Sequence, residues 1–190
     1  NVNELHGGAM AVATLLVAAL GAWFYKTYIV RPGEGEGERR SASVQIGLIL
    51  GLAFLLRCAL SLLFYGHSTD IACFMAWANA LAENGPGAFY TSGMFADYPP
   101  GYMYVLWFTG SLGKFLGLSY GGAGYVLLTK MPAILCDLGA AYLVFRMADK
   151  RFERRVALAL CCAVAFNPAM AFLSGGWGQI DQVLTLLLVL

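Results

Sequence analysis

YMYVLWFTGSLGKFLGL, residues 102–118, is the stretch whose placement decides the architecture of this chain. It is apolar but only 17 residues long, and Gly110, Gly113, Lys114 and Gly117 interrupt it. A helix that crosses a bilayer core needs about 20 residues. Suppose that it spans, with the Arg39-Arg40 hinge in the cytoplasm. The loop from His67 is then outside, and so is the cluster Arg146, Lys150, Arg151, Arg154 and Arg155, against the rule that basic loops stay inside. Suppose instead that it lies in the interface or re-enters from the outer side. Both basic clusters are then cytoplasmic, and the His67 loop shares the outer face with the turn at residues 175–181. The second arrangement is the expected one. Single cysteines at Ser92 and Ser174 should then react with an impermeant reagent from outside, and one at Ala148 should not.

Composition sets the frame. The chain is 59% hydrophobic and 12% charged over 190 residues, with apolar runs long enough to cross a bilayer, which marks an integral, multi-pass membrane protein of all-α class. The net charge of +1 is spread over short clusters at helix ends, which argues against nucleic acid as a partner. Complete spans are predicted at residues 9–30, 44–65, 125–147 and 156–173, with a fifth starting near Val183. The first is read as a retained span, because it lacks a basic leader region and a small-residue cleavage site. The hinge RPGEGEGERRSAS, residues 31–43, reads as a flexible polar linker. Residues 1–43 are therefore set apart from the main domain at 44–190, and the ends of the chain read as those of a piece of a longer protein. The cysteines and histidines show no metal-ligand spacing: Cys161 and Cys162 are adjacent, so on a helix they point about 100° apart. No metal, cofactor or disulfide is expected.

Chemistry is expected in HSTDIACFMAWANALAENGPGAFYTSGMFADYPPGY, residues 67–102, where Asp70 and Asp97 sit among aromatics. Asp70 opens a predicted helix from Ser68 to Glu83, with Ser68 or Thr69 near its N-cap. It is either a capping carboxylate or a site residue. Asp97 precedes the Tyr98-Pro99-Pro100 corner, which proline geometry fixes, and is either a turn acid or part of the site. Arg57 and Asp137 fall inside spans, where ionisable groups are costly unless paired or functional. Their estimated depths match on antiparallel helices, so they either pair or leave Arg57 free to meet a phosphate. Lys130, nearer the outer boundary, has the better access to a lipid-linked phosphate. In GGWGQID, residues 175–181, the glycines allow close backbone approach, Trp177 suits an interface, and Gln179 with Asp181 suits a polar site lining a cavity.

Together these motifs resemble the polyprenyl-phosphate-sugar-dependent glycosyltransferases of the GT-C superfamily. The features are SxDIxxFxxWA around Asp70, ADYPPGY at residues 96–102, KMPAILCDLG at 130–139, a basic turn, NPA at 167–169 and WGQID at 177–181. They are most similar to bacterial relatives of the enzyme that adds the second mannose to GPI anchors. The likeness runs from residue 44 to 190. It implies a transmembrane helix bundle with a helical extracytoplasmic first loop, in a bacterial plasma membrane. The implied activity is inverting transfer of a hexose, mannose among the candidates, from a polyprenyl phosphate to a lipid, glycan or protein acceptor. Asp70 takes the position of the catalytic carboxylate. Asp97, Tyr98, Lys130, Arg57, Trp177, Gln179 and Asp181 become the residues expected around the substrates. The rival class is a transporter or a non-catalytic scaffold that binds a polyprenyl lipid, since an intramembrane Arg and Asp also suit a transport pathway.

Overall fold

A computed structural model describes residues 38–189 apart from Ser92, together with a few isolated positions before them. Of the predicted first span at residues 9–30 only those isolated positions are described, and residues 31–37 of the hinge lie outside the described residues. What is described is helical, without a strand. The elements are α1 (Glu38–Leu63), α2 (Ser68–Asn84), a 3-10 turn (Pro86–Thr91), α3 (Pro100–Phe115), α4 (Ala123–Ala148), α5 (Arg154–Ala165), α6 (Pro168–Ala171), a π-helical turn (Phe172–Trp177) and α7 (Asp181–Val189).

Two of these helices, α1 and α4, are long and apolar enough to cross a membrane. They run antiparallel. Ile49 and Ala53 of α1 pack with Phe145 and Ala148 of α4 and with Ala157, Leu158, Cys161 and Cys162 of α5 in one apolar cluster. At the other end of the same pair, the carbonyl of Phe64 reaches Lys130. One end of the bundle therefore holds the basic connection between α4 and α5, and α1 begins there with Arg39 and Arg40. The opposite end holds Asp70, Asp97 and Asp181.

The predicted span at 156–173 is not one helix. α5 stops at Ala165, and a bend of 43° separates it from the Pro168–Trp177 segment, so that the two would form a third, broken span. Pro168 has no N–H for the carbonyl of Val164, and its ring pushes Asn167 into extended backbone, φ −60° and ψ 120°. The chain repairs the break locally. Asn167 N donates to Val164 O at 3.1 Å, and the Asn167 side chain caps α6 by accepting from Ala169 N at 3.0 Å and Met170 N at 3.2 Å.

The deciding stretch is helical as α3, whose 16 residues reach about 24 Å, short of the bilayer core. Its N-terminus is set by the proline corner, with Pro99 as N-cap and Pro100 in the first turn. Two of the glycines that seemed to weaken it as a span, Gly110 and Gly113, have a packing reason instead, while Gly117 follows the helix in left-handed backbone at φ 64°. A Cβ on Gly110 would strike the backbone carbonyl of Ala78 in α2, and one on Gly113 would come within 2.8 Å of the Tyr125 ring. Close approach buries Met103 and Leu106 against Phe74, Trp77, Ala78 and Leu81 of α2. Tyr104, Trp107, Phe108 and Phe115 remain exposed on the other face.

Two of the positions proposed above for labelling suit the test poorly, because Ser174 is fully buried and Ala148 nearly so, while Ser92 lies outside the described residues. Phe95, Tyr120 and Phe152 are 71%, 58% and 57% exposed and replace them. A cysteine at Phe95 or Tyr120 should react with an impermeant reagent added outside cells, above the background of the native cysteines, and one at Phe152 should not. Labelling of Phe152→Cys from outside together with protection of Phe95→Cys would invert the expected sidedness.

Candidate active site

The site is built where two chain reversals meet. The first is the turn from α1 into α2. α2 starts after His67, its N-cap residue, in extended backbone at φ −70° and ψ 119°, and no side chain caps it. Ser68 and Thr69 do lie next to the N-cap, which is His67 itself, and Asp70 is in the first turn without a side-chain cap bond at the N-cap residue. The Asp70 carboxylate, in the first turn, points away from the helix end to other partners. The second reversal is the π turn. It widens the helix, ends at Gly178 in left-handed backbone (φ 89°, ψ 27°), and sends the N–H groups of Gly178 and Gln179 back to Leu173 O at 2.9 Å each.

The two reversals touch through backbone. His67 N donates to Trp177 O at 3.1 Å. A Cβ on Gly66, which has a φ of 107°, would collide with that same carbonyl, and one on Gly178 would collide with Ile71. Only glycine allows this approach. The result is that Asp70 Oδ2 accepts from Gln179 Nε2 at 2.7 Å and from Trp177 Nε1 at 3.3 Å. Sequence reasoning put Asp70, Trp177 and Gln179 in one site, and the structure brings them together across more than one hundred residues of chain. His67 was missed. Its Nδ1 lies 3.3 Å from Asp70 Oδ1, and its ring stacks on Trp177 with centroids 5.3 Å apart and planes 11° off parallel. The signal available was its position three residues before Asp70, one helical turn away.

Asp97 and Asp181 are exposed at the same end. Tyr98 links them. Partial burial raises its phenol above the ordinary range, and Asp181, Asp70 and Asp97, in that order, push it further. Tyr98 thus lies in the field of all three carboxylates, although Asp97 accepts none of the hydrogen bonds that hold Asp70. Two further ties fix the corner ahead of α3: Trp77 Nε1 donates to Phe95 O at 2.7 Å, and Tyr90 Oη donates to Tyr98 O at 2.9 Å. Beyond Tyr98 an apolar groove of about 380 Å³ runs between α3 and α7, lined by Tyr98, Tyr102, Val105, Ile180, Leu184 and Leu187, with Asp181 also on its wall.

No protein-family model, curated protein or solved structure matches the chain.

Lys130 and Arg57 are placed differently from the expected phosphate contacts. Lys130 is 1% exposed, and its Nζ donates to Phe64 O at 2.8 Å, Gly175 O at 3.0 Å and Gly176 O at 2.9 Å. All three ammonium protons are committed. Phe64 follows the last residue of α1, where carbonyls lack intrahelical donors, and the π turn leaves others; a buried cation answers both. Arg57 is sealed as well. Its Nε lies 3.0 Å from Asp137 Oδ2, both side chains are fully buried, and Ser174 Oγ donates to the same oxygen at 2.6 Å. Arg57 Nη1 donates to Ala165 O at 2.7 Å. That carbonyl needs an outside donor, because the N–H of Ala169 four residues on is taken by Asn167. Both cations thus hold the π turn and the broken span in register, one through Gly175 and Gly176, the other through Asp137 and Ser174. They support the segment that carries Trp177 and Gln179 rather than lining an open pocket.

Proposed function

We propose that this chain is a GT-C-type inverting glycosyltransferase that moves a hexose, mannose among the candidates, from a polyprenyl phosphate to an acceptor hydroxyl on the extracytoplasmic side of a membrane. The observation that carries the reading is Asp70. A carboxylate fixed by Gln179 and Trp177 and partly open to solvent stands at one end of an apolar helical bundle. Tyr98 connects it to a groove of the polarity an isoprenoid chain requires. An acceptor oxygen attacking the anomeric carbon must lose its proton in an oxocarbenium-like transition state, and Asp70 serves as the general base. The leaving group is a lipid phosphate, already a weak base, so it needs charge stabilisation more than a proton. With Lys130 and Arg57 occupied and the single indole N–H of Trp177 given to Asp70, the second amide proton of Gln179 Nε2 is the donor left beside the carboxylate.

The transport reading drew on an intramembrane Arg and Asp. That pair is sealed between α1, α4 and the broken span, which suits a structural staple and gives no path for a solute.

The test is transfer of radiolabelled hexose by the protein in its native membrane. Label should pass to an acceptor from a polyprenyl-phosphate hexose and not directly from a nucleotide sugar. Equal use of the nucleotide sugar after polyprenyl-phosphate hexose synthesis is blocked would overturn the proposal, as would no transfer from any polyprenyl donor.

A further inference from the structure

Asp70 is held from two sides, and the sides differ. Its Oδ2 is filled by the donors on Trp177 and Gln179, while Oδ1 faces His67 Nδ1 at 3.3 Å. The imidazole is fixed in turn by stacking on Trp177 and by its own backbone bond to Trp177 O. At 46% against 30% for Asp70, it is also the more exposed of the two side chains. A carboxylate facing one imidazole nitrogen selects the tautomer with the proton on that nitrogen and steadies the imidazolium, so the other nitrogen becomes the base. We propose that His67 is the proton acceptor of the transfer, with Nδ1–H directed at Asp70 Oδ1 and Nε2 as the accepting atom. The proposal rests on the glycosyl-transfer reading and divides the base function between two groups.

The chemistry favours the division. An imidazole takes up and gives back a proton readily near neutral pH, as a general base that must turn over requires, and a neighbouring carboxylate supports it in doing so. As the acceptor oxygen forms its bond to the anomeric carbon, its proton passes to Nε2. The bond from the anomeric carbon to the phosphate oxygen breaks, and its electron pair leaves with the polyprenyl phosphate. The imidazolium, paired with Asp70, then releases its proton to water. At 3.3 Å the two atoms stand at ion-pair distance rather than in a hydrogen bond, so the carboxylate acts on the imidazole through its charge.

The experiment uses the protein in membranes with a polyprenyl-phosphate hexose. His67→Phe keeps a ring to stack on Trp177 and removes both nitrogens; transfer should fall on the order of 100-fold, as far as for Asp70→Asn. His67→Ala leaves a gap, and added imidazole should restore transfer. Across substituted imidazoles of similar size, restoration should rise with basicity, which a space-filling role would not produce. Near-full activity of His67→Phe beside an inactive Asp70→Asn overturns the assignment and leaves Asp70 as the sole base. Loss in His67→Ala that no imidazole restores, in protein that still elutes as folded, also overturns it. If wild-type protein moves no hexose at all, the glycosyl-transfer reading falls and takes this inference with it.

Discussion

Asp70→Asn is expected to lower hexose transfer by about 100-fold or more while the protein still folds. The amide keeps the size of the side chain, and its oxygen can still accept from Gln179 or Trp177. It loses the negative charge, and so can neither take a proton nor steady one on His67. Steady-state transfer measured against donor concentration should show the loss in kcat, with the donor KM little changed, because Asp70 acts on the acceptor proton and not on the lipid. Asp97→Asn is the internal control. Asp97 is exposed and shares only the electrostatic surroundings of Tyr98, so a several-fold loss at most is expected. A dead Asp97→Asn beside an active Asp70→Asn would reverse the roles. If both stay active, the carboxylate lies elsewhere, with Asp181 the next to test.

Asp137→Asn is expected to have the largest effect on folding. Removing one partner of a fully buried pair leaves the other charge uncompensated, on the order of 3 kcal/mol. Here Arg57 would keep only its carbonyl contacts to Ala53 and Ala165, and Ser174 would lose its charged acceptor. Denaturant unfolding in detergent should show the midpoint falling sharply, with low yield of monodisperse protein. The pair is already imperfect, since Arg57 Nη2 and Asp137 Oδ1 have no partner among the described residues. Replacing both residues by apolar ones, Arg57→Met with Asp137→Leu, should therefore recover part of the loss. Recovery should stay incomplete, because Ala165 O then has no donor. A single Asp137→Asn with unchanged yield and midpoint would show that the staple holds nothing.

The parts of this architecture that follow from length and hydropathy were legible. The apolar part of α1, Ser43–Leu63, and α4 end within two residues of the predicted spans at 44–65 and 125–147, because a run of about 20 apolar residues has one stable form in a bilayer. The helix also reaches back to Glu38, into the end of the stretch 31–43 that composition had read as a flexible linker. The Arg57–Asp137 contact was legible too, since matched depth on antiparallel helices leaves each charge one economical partner. Local backbone events were harder. Residues 156–173 looked continuous by hydropathy, which does not register that Pro168 lacks an N–H; the Asn-Pro pair was the signal, and it outweighs apolar content. The π turn left no periodic trace, and that hid the work of Lys130, whose carbonyl partners exist only once the turn has formed. Asp70, Trp177 and Gln179 were grouped by motif, whereas His67 is visible as a partner only when its ring is seen on Trp177.

The sealed staple also has a history within each molecule. Arg57 is made 80 residues before Asp137 and 108 before the carbonyl of Ala165. At about 5–20 residues per second, the ribosome needs roughly 4–16 seconds to supply the carboxylate. For that interval α1 carries a guanidinium with no counter-ion about 9 Å from its end, at a cost below the roughly 2.5–3.5 kcal/mol of a charge at the centre of a span. Completion of α4 supplies the carboxylate that pairs the guanidinium and removes that cost. The staple therefore closes late in synthesis: a chain arrested before residue 137 has Arg57 without its carboxylate, and α1 in it should be held less firmly than in the full chain.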